Sequence, residues 1–148
     1  LQALAEGALV GGKKATIEQL VNSEGPLTLK IDLKGKRVPL GVVHGLCALM
    51  WARSKDAPLH VDLITCKVGA EGLSALARGL SPALASLTLD ESDITNKGGN
   101  LTGVRRLCQA LAEGCAPELA ELRCVAFARS PAACAVVLML GHARALLP

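Results

Sequence analysis

Aromatic side chains are nearly missing from this sequence: Trp51 and Phe127 are the only two, and there is no tyrosine. A domain of 148 residues ordinarily uses several rings as large core pieces. Here the core has to be aliphatic, made of Leu, Val, Ile, Ala and Cys. A core of small repeated layers can do without rings. Concentrated charge is missing too. The formal net charge is +3, and the basic residues are scattered, with small clusters at Lys13–Lys14, Lys34–Arg37 and Arg105–Arg106. Strong phosphate binders gather Lys and Arg on one face and interleave stacking aromatics, so no nucleic-acid partner is expected.

Long apolar runs are also lacking. The longest, Ala132–Gly141, is short of the roughly 20 residues that span a bilayer, so no membrane partner is expected. None of the six cysteines (Cys47, Cys66, Cys108, Cys115, Cys124, Cys134) belongs to a C-x-x-C pair, and no His-x-x-x-His accompanies them. That argues against the usual zinc spacings and leaves no metal to predict. Most of the cysteines sit beside leucines at core-like positions, where a thiol acts as a small hydrophobe. Reduced thiols and a cytoplasmic location are the expectation. No charged-then-apolar signal segment opens the chain. It starts at Leu1, inside a motif, and reads as one domain, 1–148, cut from a longer chain.

What is present is a repeat. Gln2-Ala3-Leu4-Ala5-Glu6-Gly7 recurs letter for letter as Gln109-Ala110-Leu111-Ala112-Glu113-Gly114. Ser74-Ala75-Leu76-Ala77-Arg78-Gly79 is a third copy, and Cys47-Ala48-Leu49-Met50 a degraded fourth. The anchoring leucines, Leu4, Leu49, Leu76 and Leu111, are followed by Leu138, at intervals of 45, 27, 35 and 27. The longer intervals read as units with inserted loops, over 10–26 and over 91–102.

Between the anchors sit short alternating runs. Leu27-Thr28-Leu29-Lys30-Ile31-Asp32-Leu33 has the period of two of a half-buried strand, and Val61-Asp62-Leu63, Leu87-Thr88-Leu89 and Leu122-Arg123-Cys124 repeat its end. Five residues beyond three of them stands a β-branched apolar residue: Val38 after Leu33, Val68 after Leu63, Ile94 after Leu89. The fourth unit carries Arg129 there instead and reads as terminal or irregular. Each unit therefore reads as strand, tight turn, inward apolar residue, helix and return loop. Helices are predicted over 1–9, 40–53, 70–80, 101–114 and 131–146. Pro39 and Pro131 suit helix starts, and Gly79 and Gly114 suit left-handed helix ends.

The run Cys66-Lys67-Val68-Gly69-Ala70-Glu71-Gly72-Leu73-Ser74-Ala75-Leu76-Ala77-Arg78-Gly79-Leu80, followed by Leu84, Leu87 and Leu89, resembles a leucine-rich repeat of ribonuclease-inhibitor type. Leu111 to Leu119, then Leu122 and Cys124, is similar to the cysteine-containing repeats of F-box proteins. The family pattern places Asn or Cys three residues after the last leucine of the strand. Lys36, Cys66, Ser92 and Phe127 stand there, so one unit obeys. The resemblance implies an α/β solenoid, with about four short parallel strands on one face and helices on the other. It implies a non-catalytic module, scaffold or adaptor, that binds other proteins without a cofactor. Relatives of this kind also serve as structural subunits of large cytoskeletal or ciliary assemblies and as regulators of small GTPases.

Strand parity places Ile31, Leu33, Val61, Leu63, Leu87, Leu89, Leu122 and Cys124 inward. The opposite parity gives the candidate partner-binding face: Lys30, Asp32, His60, Asp62, Ser86, Thr88, Glu121 and Arg123. Other motifs weigh less. Gly7 to Lys13 fits seven places of a P-loop, but Lys14 replaces its Ser or Thr and a helical repeat precedes it. His60 with Asp62 suggests a base and its orienting carboxylate, yet no nucleophile is supplied by any motif. Asn100-Leu101-Thr102 is a glycosylation sequon that matters only in a secreted chain. Lys34-Gly35-Lys36-Arg37 reads as a solvated turn. A solenoid without polar caps exposes apolar ends, and with Leu1 and Leu146–Leu147 at the termini these ends are expected to be covered by further chain or by a neighbouring subunit.

Overall fold

The alternating runs become strands and the Ala-Leu-Ala segments become helices. A computed structural model of the chain describes residues 1–10, 13–14, 16–31, 33, 35–54, 56–89, 93–97 and 99–124. In chain order these hold α1 (Gln2–Gly7), β1 (Ala8–Val10), β2 (Lys13–Lys14), α2 (Ile17–Asn22), β3 (Leu27–Ile31) and α3 (Leu40–Ala52). Then come β4 (Leu59–Leu63), α4 (Gly69–Arg78), β5 (Leu84–Thr88), α5 (Thr102–Ala112) and β6 (Glu121–Arg123). The strands form one sheet in the order β2-β1-β3-β4-β5-β6. β3, β4, β5 and β6 run parallel, whereas β1 is antiparallel to both β2 and β3. Parallel neighbours need a crossover, and α3, α4 and α5 supply one each. The class is mixed α/β with a mostly parallel sheet.

Burial alternates along β3 and β4, and the buried strand residues share one apolar cluster with those of the helices. Leu29, Ile31, Val61, Leu84 and Leu87 from the strands meet Leu46, Leu73 and Leu107 from the helices, all 1% exposed or less. Each such side chain contributes roughly 1.5–3 kcal/mol by leaving water. The four repeat anchors, Leu4, Leu49, Leu76 and Leu111, all lie in this core. The helices thus cover one face of the sheet, and among the described residues none covers the other.

Three local details depart from the sequence reading. The helix expected over 1–9 stops at Gly7, and Ala8-Leu9-Val10 turns into a strand. The insertion at 10–26, expected to be irregular, holds β2 and α2. A capping box starts α2: the Thr16 hydroxyl accepts from Gln19 N–H while the Gln19 carboxamide accepts from Thr16 N–H, both at 3.2 Å. Finally, Leu27↔Leu59 and Ile31↔Leu63 are register partners, while Arg37 bridges Lys67. The turn side of the first unit aligns as the Val38–Val68 spacing predicts. Its strand is displaced by two residues, because the chain between Ile31 and Arg37 is two longer than between Leu63 and Lys67 and turns through Gly35 at φ +77°. A two-residue shift keeps the parity of every side chain.

Two glycines expected to act alike do different things. Gly114 is left-handed at φ +75° and donates to Leu111 O. Gly79 is not: its φ is −102°. It is glycine because α3 passes close by. A Cβ there would fall within the van der Waals radii of Cys47 Sγ and Cβ, with Cys47 Cα at 3.4 Å. Pro39 precedes α3 as its N-cap. Cys66, where the leucine-rich-repeat pattern would place Asn or Cys, sets its thiol 3.2 Å from both Ile31 O and Ile64 O. At Lys36 the backbone substitutes, donating to Leu33 O and accepting from Lys67 N. Ser92, Phe127, Arg129, Pro131 and the helix expected over 131–146 lie outside the described residues.

Candidate functional site

On the helix-free face, the strand register sets polar side chains in two rows. One runs Thr28–His60–Ser86–Glu121 and the next Lys30–Asp62–Thr88–Arg123, across β3 to β6. With about 4.8 Å between strands, each row spans roughly 14 Å. Leu9 pairs with both Lys14 and Lys30, which carries the second row on to the edge strand β2. Local sequence explains why β5 joins without disturbing the rows. Leu59 pairs Leu84, but His60 pairs Ser86, so Ala85 is an extra residue in a bulge. It lets Leu84 and Leu87, three apart, both point into the core.

Seven of the eight residues predicted for this face are described. Lys30, Glu121 and Arg123 are exposed, and His60, Asp62 and Ser86 are partly buried. Thr88 occupies an outward register position but is only 8% exposed. Asp32 lies outside the described residues. Thr28, exposed beside His60, belongs to the face and was missed; its alternation with Lys30 is the signal that finds it.

Hydrogen bonding ties the first row together at one point, where His60 Nδ1 and Ser86 Oγ lie 2.9 Å apart. Which atom donates follows from the imidazole tautomer. Asp62 sits in the other row, between Lys30 and Thr88, so His60 is oriented by a hydroxyl rather than by that carboxylate. Glu121 and Arg123 face one another at 4.0 Å, both more than half exposed. An ion pair so open to solvent adds little to stability. The face offers donors, acceptors and both signs of charge, with no Phe, Tyr or Trp among its described residues.

Elsewhere the other motifs resolve. Gly7 ends α1, and Lys13 and Lys14 form a strand antiparallel to β1, so the P-loop spacing does not fold as strand, loop and helix. Gly11 and Gly12 lie outside the described residues. Asn100 Oδ1 accepts from Thr102 N–H at 2.9 Å at the start of α5. Arg37 and Glu71 pair at 3.2 Å on the surface.

A cleft of about 560 Å³ opens among Asn22, Ser23, Glu24, Arg53, Ser54 and Asp56, together with Ala52 and Ala57. Its arginine is already occupied. Arg53 donates to Ala57 O at 3.1 Å, to Ser23 O at 3.1 Å, to Ser23 Oγ at 2.9 Å and to Gly25 O. Burial lowers its pKa from the usual arginine value, and it stays charged. It is a clamp between the end of α3 and the segment entering β3.

Among the described residues, no three His, Cys, Asp or Glu side chains are grouped to hold a metal, and no helix is long and apolar enough to cross a membrane. The five cysteines Cys47, Cys66, Cys108, Cys115 and Cys124 are not in disulfides. No protein-family model matches the chain, and no similarity to a curated protein or a solved structure is found.

Proposed function

We propose that this chain is a leucine-rich-repeat solenoid that acts as a non-catalytic binding module, engaging a protein partner through the helix-free face of its sheet. The observation that carries the reading is the pair of polar rows, Thr28–His60–Ser86–Glu121 and Lys30–Asp62–Thr88–Arg123, fixed in register across four parallel strands. Strands position side chains more rigidly than loops do, so docking on them costs little ordering entropy. Mixed charge and hydroxyl groups favour selection of one partner over raw affinity.

Site-specific photo-crosslinking in native extract tests this reading. A crosslinker at position 60 should yield an adduct of one defined mass. The same crosslinker at position 105, exposed on α5, should yield none. Adducts from 105 with none from 60 would place the partner on the helices and sink the reading.

A further inference from the structure

Charge is unevenly placed along the second polar row. From the β2 edge inward the row reads Lys14, Leu9, Lys30, Asp62, Thr88 and Arg123. At its far end Arg123 lies 4.0 Å from Glu121, so those two charges offset one another. Thr88, before it, is only 8% exposed. At the near end Lys14 and Lys30 are both exposed, and Leu9 between them and Asp62 after them are partly exposed. Neither lysine belongs to an ion pair among the described residues. The near end thus presents cation, apolar group, cation and anion, in that order.

Spacing selects what can read that order. Successive strands stand about 4.8 Å apart, which puts Leu9, Lys30 and Asp62 at about 4.8, 9.6 and 14.4 Å from Lys14. Residues i, i+3, i+7 and i+10 of an α-helix share one face. With a rise of roughly 1.5 Å per residue they stand at about 4.5, 10.5 and 15 Å from the first. Alternate residues of an extended segment stand at about 6.8 and 13.6 Å and fall out of step with the row. The signs of charge select further. A nucleic-acid strand or an anionic membrane would bring the same charge to Asp62 as to the lysines. For bases to stack on, the described face has no Phe, Tyr or Trp.

We propose that the β2–β4 end of this face receives an amphipathic helix of a protein partner, lying along the row. Acidic residues stand over Lys14 and Lys30, an apolar residue over Leu9 and a basic residue over Asp62, at the spacing i, i+3, i+7 and i+10. That spacing is the same from either end, so the helix fits in both chain directions. The inference rests on the reading of the sheet face as a protein-binding surface and adds the chemistry of the partner. Opposite charges across the contact steer the helix and fix its register.

Amide NMR titration of the isotope-labelled 148-residue chain reads such binding even when it is weak. Two lactam-bridged helical peptides, on an alanine–glutamine background, carry Glu, Leu, Glu and Lys at the four positions in forward and reversed order. At least one should bind with a Kd below about 1 mM, shifting amides of β1, β2 and β3 but not those of α5. In Lys14→Glu/Lys30→Glu the affinity should fall about tenfold or more. The same peptide with Lys in place of both Glu should bind that variant instead, which also shows the variant to be folded. Should charge reversal disturb the edge strands, Lys14→Gln/Lys30→Gln is the milder variant, with an expected loss of about threefold or more. No binding by either peptide would overturn the helix, while an adduct from position 60 in extract would still uphold the face. Affinity within about twofold for polyglutamate, or for a peptide with the four residues scrambled, would replace the helix by a general anion-binding edge. Binding undiminished in both lysine variants would also refute it.

Discussion

Replacing Gly79 by alanine separates two explanations for one glycine. If Gly79 served as a left-handed helix end, alanine would cost about 1 kcal/mol through backbone strain alone. Its φ of −102° and ψ of 8° are open to any residue, so the backbone contributes almost nothing. The steric term is what remains. A new Cβ would overlap Cys47 Sγ and Cβ and sit 3.4 Å from Cys47 Cα, so α3 and α4 would have to part by more than an ångström. Overpacking of that kind costs about 1–3 kcal/mol. Trimming the obstacle should relieve it. Cys47→Gly alone costs about 1 kcal/mol for a glycine inside α3, but Gly79→Ala in that background should cost less than in the native one. The expected coupling is at least about 1 kcal/mol in the direction of rescue. Urea unfolding followed by far-ultraviolet circular dichroism measures all four corners of the cycle. An equal cost for Gly79→Ala in both backgrounds would refute the steric account.

The Arg53 clamp and the Ser81 contact make parallel predictions. Arg53→Met keeps the aliphatic stem but removes four donated hydrogen bonds. Some of the acceptors can rehydrate beside the cleft, so the expected loss is about 2–4 kcal/mol in urea unfolding. An unchanged midpoint would contradict the clamp. Ser81, 1% exposed, donates to Met50 O at 2.8 Å and accepts from Ala83 N–H at 3.3 Å. Ser81→Ala should lower stability by about 1–3 kcal/mol by leaving both partners unsatisfied. Burial raises the thiol pKa of Cys47 and Cys108, with a smaller opposing effect from a backbone hydrogen bond. The folded chain therefore holds these protons to higher pH than the unfolded one. Their contribution to stability is intact below the ordinary thiol range and is lost as pH rises from there through the raised folded-state value. Unfolding midpoints measured up that range should fall less steeply in the Cys47→Ala/Cys108→Ala variant.

Much of the frame was legible because it repeats. The alternation of Leu27, Leu29 and Ile31 with polar residues fixed both faces of β3, and the recurring Ala-Leu-Ala placed Leu4, Leu76 and Leu111 in the core. The β1–β2 hairpin escaped notice because three residues and two residues are too few for a period to show. The shift of β3 by two residues was invisible for a different reason: parity is unchanged, so hydrophobicity cannot report it. Only the extra chain length before Arg37, with a left-handed Gly35, distinguishes the two alignments. The bulge at Ala85 had a visible trace, since Leu84 and Leu87 cannot share a face of a regular strand. Gly79 carried no such trace, because its reason lies on another helix, 32 positions away in sequence, at Cys47.

The proposed binding role of the polar sheet face is tested most directly by charge reversal with a captured partner. Lys30→Glu and Asp62→Lys each invert one member of a single cross-strand row without touching the core. With the partner isolated by wild-type chain, each reversal should weaken binding about tenfold or more, equivalent to about 1.4 kcal/mol. Arg105→Glu/Arg106→Glu, exposed on the helical side, should leave affinity within about twofold of the wild type. Unchanged affinity in both sheet-face variants, with loss in the α5 variant, would contradict the account.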